Sequence, residues 1–530
     1  MRLRCLLAAT IVCLPLGAAA VGFAAPQPPL QRVLVGFQGD HLPTDLHARL
    51  SSLGVTSAVA FETINTIAIT APSAAVAALV DDADVRGWRA ERRLQFDLAN
   101  SVPFIGAAQA TVGVAQDYTV ETPDGPTVMG TRPAVDGTGV TVAVIDTGVT
   151  DLHPDLARRV VGHRNFELAH AADFILSSEE LDLFAEATST WARIDDFGHG
   201  THVAGTIAGD GQMASGREND NRGVAPGASI IDLRISDCVP GCVGLGSGED
   251  IGWERNAVAA FDWLLRHHTE TQWGPNGIQV TSNSWGIIND TIYGDPAFDP
   301  LNQVVNRVLG QGIHTVFSAG NSGIGDDVHA NTPVKGLPGV ITVAAACHPG
   351  SSTSGCDGEN SWETVGSFSS RGAAVDIAAP GVDIVAAGNV SAVSALGHTC
   401  PPDLPGACLY GADYSGSGGQ ADSLQNFAWY ASISGTSMAA PHIGGVVALL
   451  VQVHPTITPE EVRVLLAHTA IDYLDKGRDI HTGWGMVNVP DALIAAARLA
   501  AGERLVDITA DADYPVALDD ASAEKQRNAD

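Results

Sequence analysis

Residues 140–146 read VTVAVID, a short apolar run rich in valine and closed by an aspartate. A run of this kind bounded by turn residues fits a strand buried on both faces. Four more of the same character follow: ASIIDLRI (228–235), IQVTSNSWG (278–286), IHTVFSAG (313–320) and GVITVAAA (339–346). Helical stretches such as SGEDIGWERNAVAAFDWLLRHH (247–268) and NQVVNRVLGQG (302–312) separate several of them. Apolar strands alternating with helices predict an α/β fold, with a parallel sheet covered by helices on both faces. In such sheets functional residues gather at the carboxyl ends of strands, and Asp146 stands at one.

Two other residues stand out. His199 sits in DDFGHGTHVAGTIAG (195–209), where glycines let backbone approach closely. Ser437 sits in SISGTSMAAPHIGG (432–445), at the mouth of an apolar helix. Taken singly, the aspartate reads as a capping residue, the histidine as a buried core residue and the serine as an N-cap. Taken together they supply what a serine nucleophile needs: a base within reach, and an acid that fixes the base's tautomer and stabilises its charged form. A helix start adds free N–H groups and a favourable field.

The blocks VIDTGV and HPDL, GHGTHVAGT and GTSMAAPH resemble the three signature blocks of the subtilisin-like serine peptidases, in the same Asp, His, Ser order. The resemblance covers about residues 100–498. It implies Asp146 as orienting acid, His199 as general base and acid, and Ser437 as nucleophile. It implies Asn321, in TVFSAGNSG, as a donor to the oxyanion that develops during attack. By the same resemblance Ser284, Trp285 and Gly286 line the substrate cleft, with Ser318, Ala319 and Gly320 opposite. Asp155 and the loop GRENDNRGVAPG (216–227) match in position a calcium site of some members, which makes Asp155 a candidate ligand of a structural calcium; the chemistry itself calls for no cofactor. His202 and His442 read as structural. Asp326 and Asp327 lie where the pocket floor is expected and would favour a basic side chain if turned inward.

The N-terminal region divides into three. MRLRCLLAATIVCLPLGAAAVGFAAPQ has a short basic end, an apolar stretch and small residues, the pattern of a secretory signal peptide over residues 1–24. The mature form is expected outside the membrane, extracellular or periplasmic. Residues 25–98 alternate as β-α-β-β-α-β, a ferredoxin-like order, and resemble the inhibitory propeptide of the family. The peptidase unit then runs over 99–498, followed by an acidic tail, 499–530. Residues 171–194 and 385–431 read as insertions, the first helical and acidic. Self-processing is expected between about residues 92 and 104.

Eight cysteines include two in the signal, leaving Cys238 and Cys242, Cys347 and Cys356, Cys400 and Cys408. Export favours disulfides between these sequence-local pairs, with zinc the competing reading. A formal charge of −32 argues against nucleic acid or anionic membrane as partners. The expected partners are polypeptide substrates and the chain's own propeptide. A catalytically dead relative is disfavoured because all four catalytic positions are filled. An esterase is disfavoured because Ser437 lies in GTSMA and not in a GxSxG elbow.

Overall fold

The computed structural model describes residues 30–55, 57–96, 116–122, 125–132, 135–168, 175, 177–193, 195, 197–211, 221–236, 252–287, 298–323, 333–348, 351, 356, 364–388 and 430–509. The signal segment, Cys238 and Cys242, Cys400 and Cys408, Asp326 and Asp327, most of 385–431 and the end of the tail lie outside them.

In the N-terminal unit, β1 (Leu30–Phe37), α1 (Leu46–Ser52), β2 (Ser57–Phe61), β3 (Thr66–Pro72), α2 (Ser73–Val80) and β4 (Val85–Ala90) form an antiparallel sheet ordered β2-β3-β1-β4. This is the ferredoxin-like order that the sequence predicts. The period-2 alternation of strands divides its residues between two faces. Val33, Val35, Phe37, Ile67 and Ile69 pack under α1 and α2, whereas Leu34, Val59, Phe61 and Ala68 join a core shared with the rest of the molecule. The closing stretch RGWRAERRLQF holds two strands, not the single one expected. β4 stays in the sheet and β5 (Arg93–Phe96) leaves it, because Glu91 and Arg92 between them are buried in ion pairs with Arg255 and Glu254.

After a hairpin of β6 (Gln116–Thr122) and β7 (Gly125–Arg132), the central sheet begins. It comprises β8 (Thr141–Asp146), β9 (Val160–Asn165), β10 (Ser229–Arg234), β12 (Val280–Asn283), β14 (His314–Ser318), β15 (Val340–Ala346) and β16 (Ile377–Pro380). β11 (Gly252–Trp253) and β13 (Trp285–Ile287) stand apart from it with β5. All seven strands run parallel in the order β16-β15-β14-β12-β8-β10-β9. On β8, Val142 and Val144 face one core and Ala143 and Ile145 the other.

Most of the described residues of the 171–194 insertion are helical as expected, with α3 (Ser178–Ala187) started by a reciprocal Ser177–Glu180 capping box. Just before it, Ile175 covers the open edge of β2: Ala60 donates to its carbonyl at 2.8 Å, and its N–H donates to Ala58 at 2.9 Å. The remaining main helices are α4 (His199–Ala208), α5 (Glu254–His267), α6 (Pro300–Gly310), α7 (Thr436–Val453), α8 (Pro459–Thr469) and α9 (Val489–Ala500). α4, α7, α8 and α9 cover one face of the sheet; α3, α5, α6 and the N-terminal unit cover the other. α7 is long and apolar enough to cross a membrane by length and composition, but it is the central core helix, with 89% of that stretch buried. Cys347 and Cys356 form the expected disulfide.

The contact between the N-terminal unit and the body is unusually charged. Arg92 donates to both Glu254 oxygens, at 3.1 and 2.8 Å, Arg89 pairs with the same carboxylate, and Asp299 lies beside both arginines. Arg255 grips Glu91 at 2.5 and 2.8 Å. A buried ion pair adds little net stability over an apolar contact, but deleting one partner strands the other charge. In a Ser437→Ala background, Glu254→Ala should therefore lose about 3–5 kcal/mol in denaturant unfolding. A loss below about 1 kcal/mol would show that water reaches the arginines.

Candidate active site

The central sheet reverses its winding between β8 and β12, so the connections after these two strands part and leave a crevice at their carboxyl ends. Asp146 ends β8 there and is fully buried. His199 opens α4, after Gly198 in a left-handed conformation (φ 91°) that a side chain would disfavour. The His199 Nδ1 lies 2.6 Å from Asp146 Oδ1, which also accepts the Thr147 N–H at 2.7 Å. A carboxylate at Nδ1 keeps the proton there and leaves Nε2 as the basic nitrogen. The approach needs Gly200: a Cβ at that position would come within 2.2 Å of the Gly148 carbonyl and 3.0 Å of Asp146 Oδ1.

Ser437 is the second residue of α7, which packs against α4. Its Oγ donates to the Ser284 carbonyl at 2.7 Å, and Ser284 Oγ donates to the Ser437 carbonyl at 2.6 Å. The second bond has a covalent cause. Pro441, four residues on, has no N–H, so the Ser437 carbonyl loses its helical partner and Ser284 takes that place. Ser284 is thus tied to the serine itself, not only to the cleft.

Asn321 follows β14. Its Oδ1 accepts from the Thr436 N–H at 2.9 Å and the Thr436 hydroxyl at 3.1 Å. A backbone N–H can only donate, so the amide oxygen faces Thr436 and the NH2 group faces away. The Thr436 hydroxyl accepts in turn from the Gly320 N–H at 2.9 Å. Of the three expected cleft residues on this side, Gly320 therefore meets Thr436, whereas Ser318 pairs with Val343 and the Ala319 N–H donates to the Val343 carbonyl at 2.9 Å.

β5 lies between β11 and β13 as the middle strand of a three-stranded antiparallel sheet. Phe96 pairs with Trp285, Gln95 with Gly286 and Leu94 with Ile287; on the other side Leu94 pairs with Gly252 and Arg93 with Trp253. Trp285 and Gly286, expected to line the cleft, thus meet the N-terminal segment through backbone. The Trp285 side chain turns inward, where its indole donates to the Ile145 carbonyl at 3.0 Å and meets Phe317 edge-on.

His202 and His442 are fully buried. Burial holds both imidazoles neutral, pushed down to about 3. Asp155 is also buried, and its Oδ2 accepts the Tyr430 hydroxyl at 2.6 Å. Residues 212–220 of the expected calcium loop lie outside the described residues. Among the described residues no three His, Cys, Asp or Glu side chains converge as a metal cage. The sequence reading missed Thr436, Thr147 and Asp195. Asp195 was in plain view, four residues before His199, and Pro441 inside an apolar helix was the signal for Ser284.

A sequence profile described as "Subtilase family" matches residues 137–485. Fervidolysin of Fervidobacterium pennivorans is 34% identical over 362 residues, covering 67% of this chain and 41% of that protein. Subtilisin E of Bacillus subtilis is 29% identical over 435 residues, covering 82% of this chain and 81% of that one. The crystal structure of fervidolysin, described as a keratinolytic enzyme related to subtilisin, superposes with a TM-score of 0.56 at 24% identity, covering 89% of this chain and 62% of that one. The chain thus spans less than two thirds of fervidolysin's length.

Beside the site, His163 on β9 lies 3.0 Å from Asp232 on β10 and 3.7 Å from Asp151, which Arg193 also holds. Burial pushes its imidazole down, but the two carboxylates win and raise it to about 9. A folded value above the unfolded one, about 6.5, gives stability that is complete below that pH and lost as pH rises through about 9. Thermal melting of the Ser437→Ala protein should weaken over this window, and His163→Gln should flatten the curve. Parallel curves would remove His163 from the balance.

Proposed function

The chain belongs to the subtilase family, and from that premise we propose that it is a secreted serine endopeptidase made as a self-processed zymogen. The observation that carries the reading is the 2.6 Å Asp146–His199 hydrogen bond at the strand-end crevice where α7 presents Ser437. Ser437 Oγ attacks the carbonyl carbon of an extended peptide while His199 Nε2 takes its proton. Asp146 holds the imidazole in register and stabilises its charged form. The carbonyl oxygen becomes negative as the tetrahedral intermediate forms, and the Asn321 NH2 and the Ser437 N–H receive it. His199 then returns the proton to the leaving amine. Water, deprotonated by the same imidazole, hydrolyses the acyl-enzyme on Ser437. The chemistry calls for no cofactor.

Substrates are proposed to bind as β5 does, adding a strand between β11 and β13. Main-chain pairing of this kind accepts many sequences. In the same reading residues 25–98 are an inhibitory propeptide, and the apolar leader before them directs export.

Asn321→Ala should lower kcat about 10²–10³-fold, the size of effect known for a single oxyanion donor in subtilisin, while KM changes little. A loss confined to KM would make Asn321 a substrate-holding residue.

Purified protein should clear casein and stop doing so after a fluorophosphonate, and Ser437→Ala should be inactive. That variant should also accumulate uncut. The β5 ladder ends with Phe96 opposite Trp285, one residue short of Ser284. Ser284 is the residue whose carbonyl and hydroxyl hold Ser437. The proposed cut therefore lies just beyond Phe96, at about residue 98. N-terminal sequencing of the active wild type should begin just after the N-terminal unit, within about residues 98–104. Trimming of Ser437→Ala to the wild-type size in a protease-free host would assign processing to another enzyme.

A further inference from the structure

Asp195 is fully buried and has no part in the chemistry described above, yet its carboxylate is the most heavily engaged group around His199. Its Oδ1 accepts from the Thr147 hydroxyl at 2.7 Å and from the Gly198 N–H at 2.8 Å. Its Oδ2 accepts from the Thr201 N–H at 2.9 Å and from the Thr201 hydroxyl. These donors belong to two different segments. Gly198 and Thr201 bracket His199 on the first turn of α4, and Thr147 follows Asp146 on β8.

The bonds extend further. The Thr147 hydroxyl accepts from the Gly200 N–H at 2.8 Å, and the Thr201 hydroxyl accepts from the Thr150 N–H at 3.0 Å. The strand-end loop and the helix start are thus stitched together on both sides of the Asp146–His199 pair, with one carboxylate at the centre. Asp195 also has a left-handed backbone (φ 42°), which Asp and Asn tolerate better than other side-chain-bearing residues.

We propose that Asp195 is a positioning residue for catalysis, holding the turn that carries His199 against the loop that carries Asp146. The proposal rests on the peptidase reading. Its logic is the direction of one proton. The Thr147 hydroxyl has a single hydrogen, and two carboxylate oxygens lie within reach: Asp195 Oδ1 at 2.7 Å and Asp146 Oδ1 at 3.3 Å. Asp195 takes it at the shorter distance. Without that acceptor the hydroxyl turns to Asp146 Oδ1, the oxygen that His199 uses. Loss of Asp195 thus both loosens the turn and weakens the bond that orients the base.

Asp195→Asn keeps size and tolerance of the backbone but replaces one acceptor oxygen by an NH2 group. Either orientation sets that NH2 against a backbone N–H, of Gly198 or of Thr201. The test uses the processed protein, a fluorogenic peptide taken from a casein bond that wild type cuts, and fluorophosphonate titration to count competent sites. Asp195→Asn should lose on the order of 10–100-fold in kcat per titrated site, as for a displaced catalytic group, with KM within about threefold of wild type. Thr147→Val, which removes only the bridging hydroxyl, should lose about tenfold, and the double variant should fall no further than Asp195→Asn alone, because both break one connection.

A variant with wild-type kcat per site and only a lower melting temperature would make Asp195 a structural residue and overturn the proposal. If Asp195→Asn fails to fold, Thr147→Val decides: a kcat loss at constant KM supports the proposal, and unchanged kcat refutes it. Wild type that cuts no peptide would instead sink the peptidase reading, and the positioning role with it.

Discussion

A single hydrogen bond between two buried groups, Asp146 and His199, sets the terms for the rest of this structure. A carboxylate taken out of water is costly unless donors surround it. Here the donors are the imidazole and the Thr147 N–H, and both depend on backbone being in the right place. The sheet delivers Asp146 to a strand end beside the point where its winding reverses. Gly200 allows α4 to come close enough for its first residue to meet that aspartate. α7, the long core helix, then fixes Ser437 from the same face of the sheet. The core on that face is therefore the frame that sets the spacing between three side chains drawn from distant parts of the chain.

The opposite face of the sheet serves the N-terminal unit. Leu34, Val59 and Phe61 share a core with α5 and α6, so the unit is packed into the molecule and not merely tethered to it. Ile175 covers its open strand edge, and the arginines of β4 and the turn after it meet Glu254 and Asp299. The last strand, β5, then runs into the groove between β11 and β13. The strand that fills the groove is anchored at its start, where Arg92 pairs with Glu254 just past β11, an arrangement that fits the proposed inhibitory role of the unit.

Much of this could be read in advance because it is written in local patterns. Valine-rich strands and the glycine-framed blocks around Asp146, His199 and Ser437 are short-range signals. The ferredoxin-like order was equally plain from alternation. What stayed hidden depends on distant contact. The split of RGWRAERRLQF into two strands follows from Glu91 and Arg92 pairing with residues more than 160 positions away. The inward turn of Trp285 follows from a carbonyl on β8. The resemblance implied Asn321 as an oxyanion donor, but the Thr436 hydrogen bonds that orient its amide were not legible. Asp155 is a candidate metal ligand by position, and only the fold brings Tyr430 to its carboxylate.

The central claim is that Ser437, His199, Asp146 and Asn321 act on one carbonyl. A crystal structure of the processed protein after reaction with diisopropyl fluorophosphate tests it most directly. The account predicts phosphorus bonded to Ser437 Oγ, with one phosphoryl oxygen accepting from both the Asn321 NH2 and the Ser437 N–H. An adduct on another residue, or a phosphoryl oxygen turned away from Asn321, would contradict it.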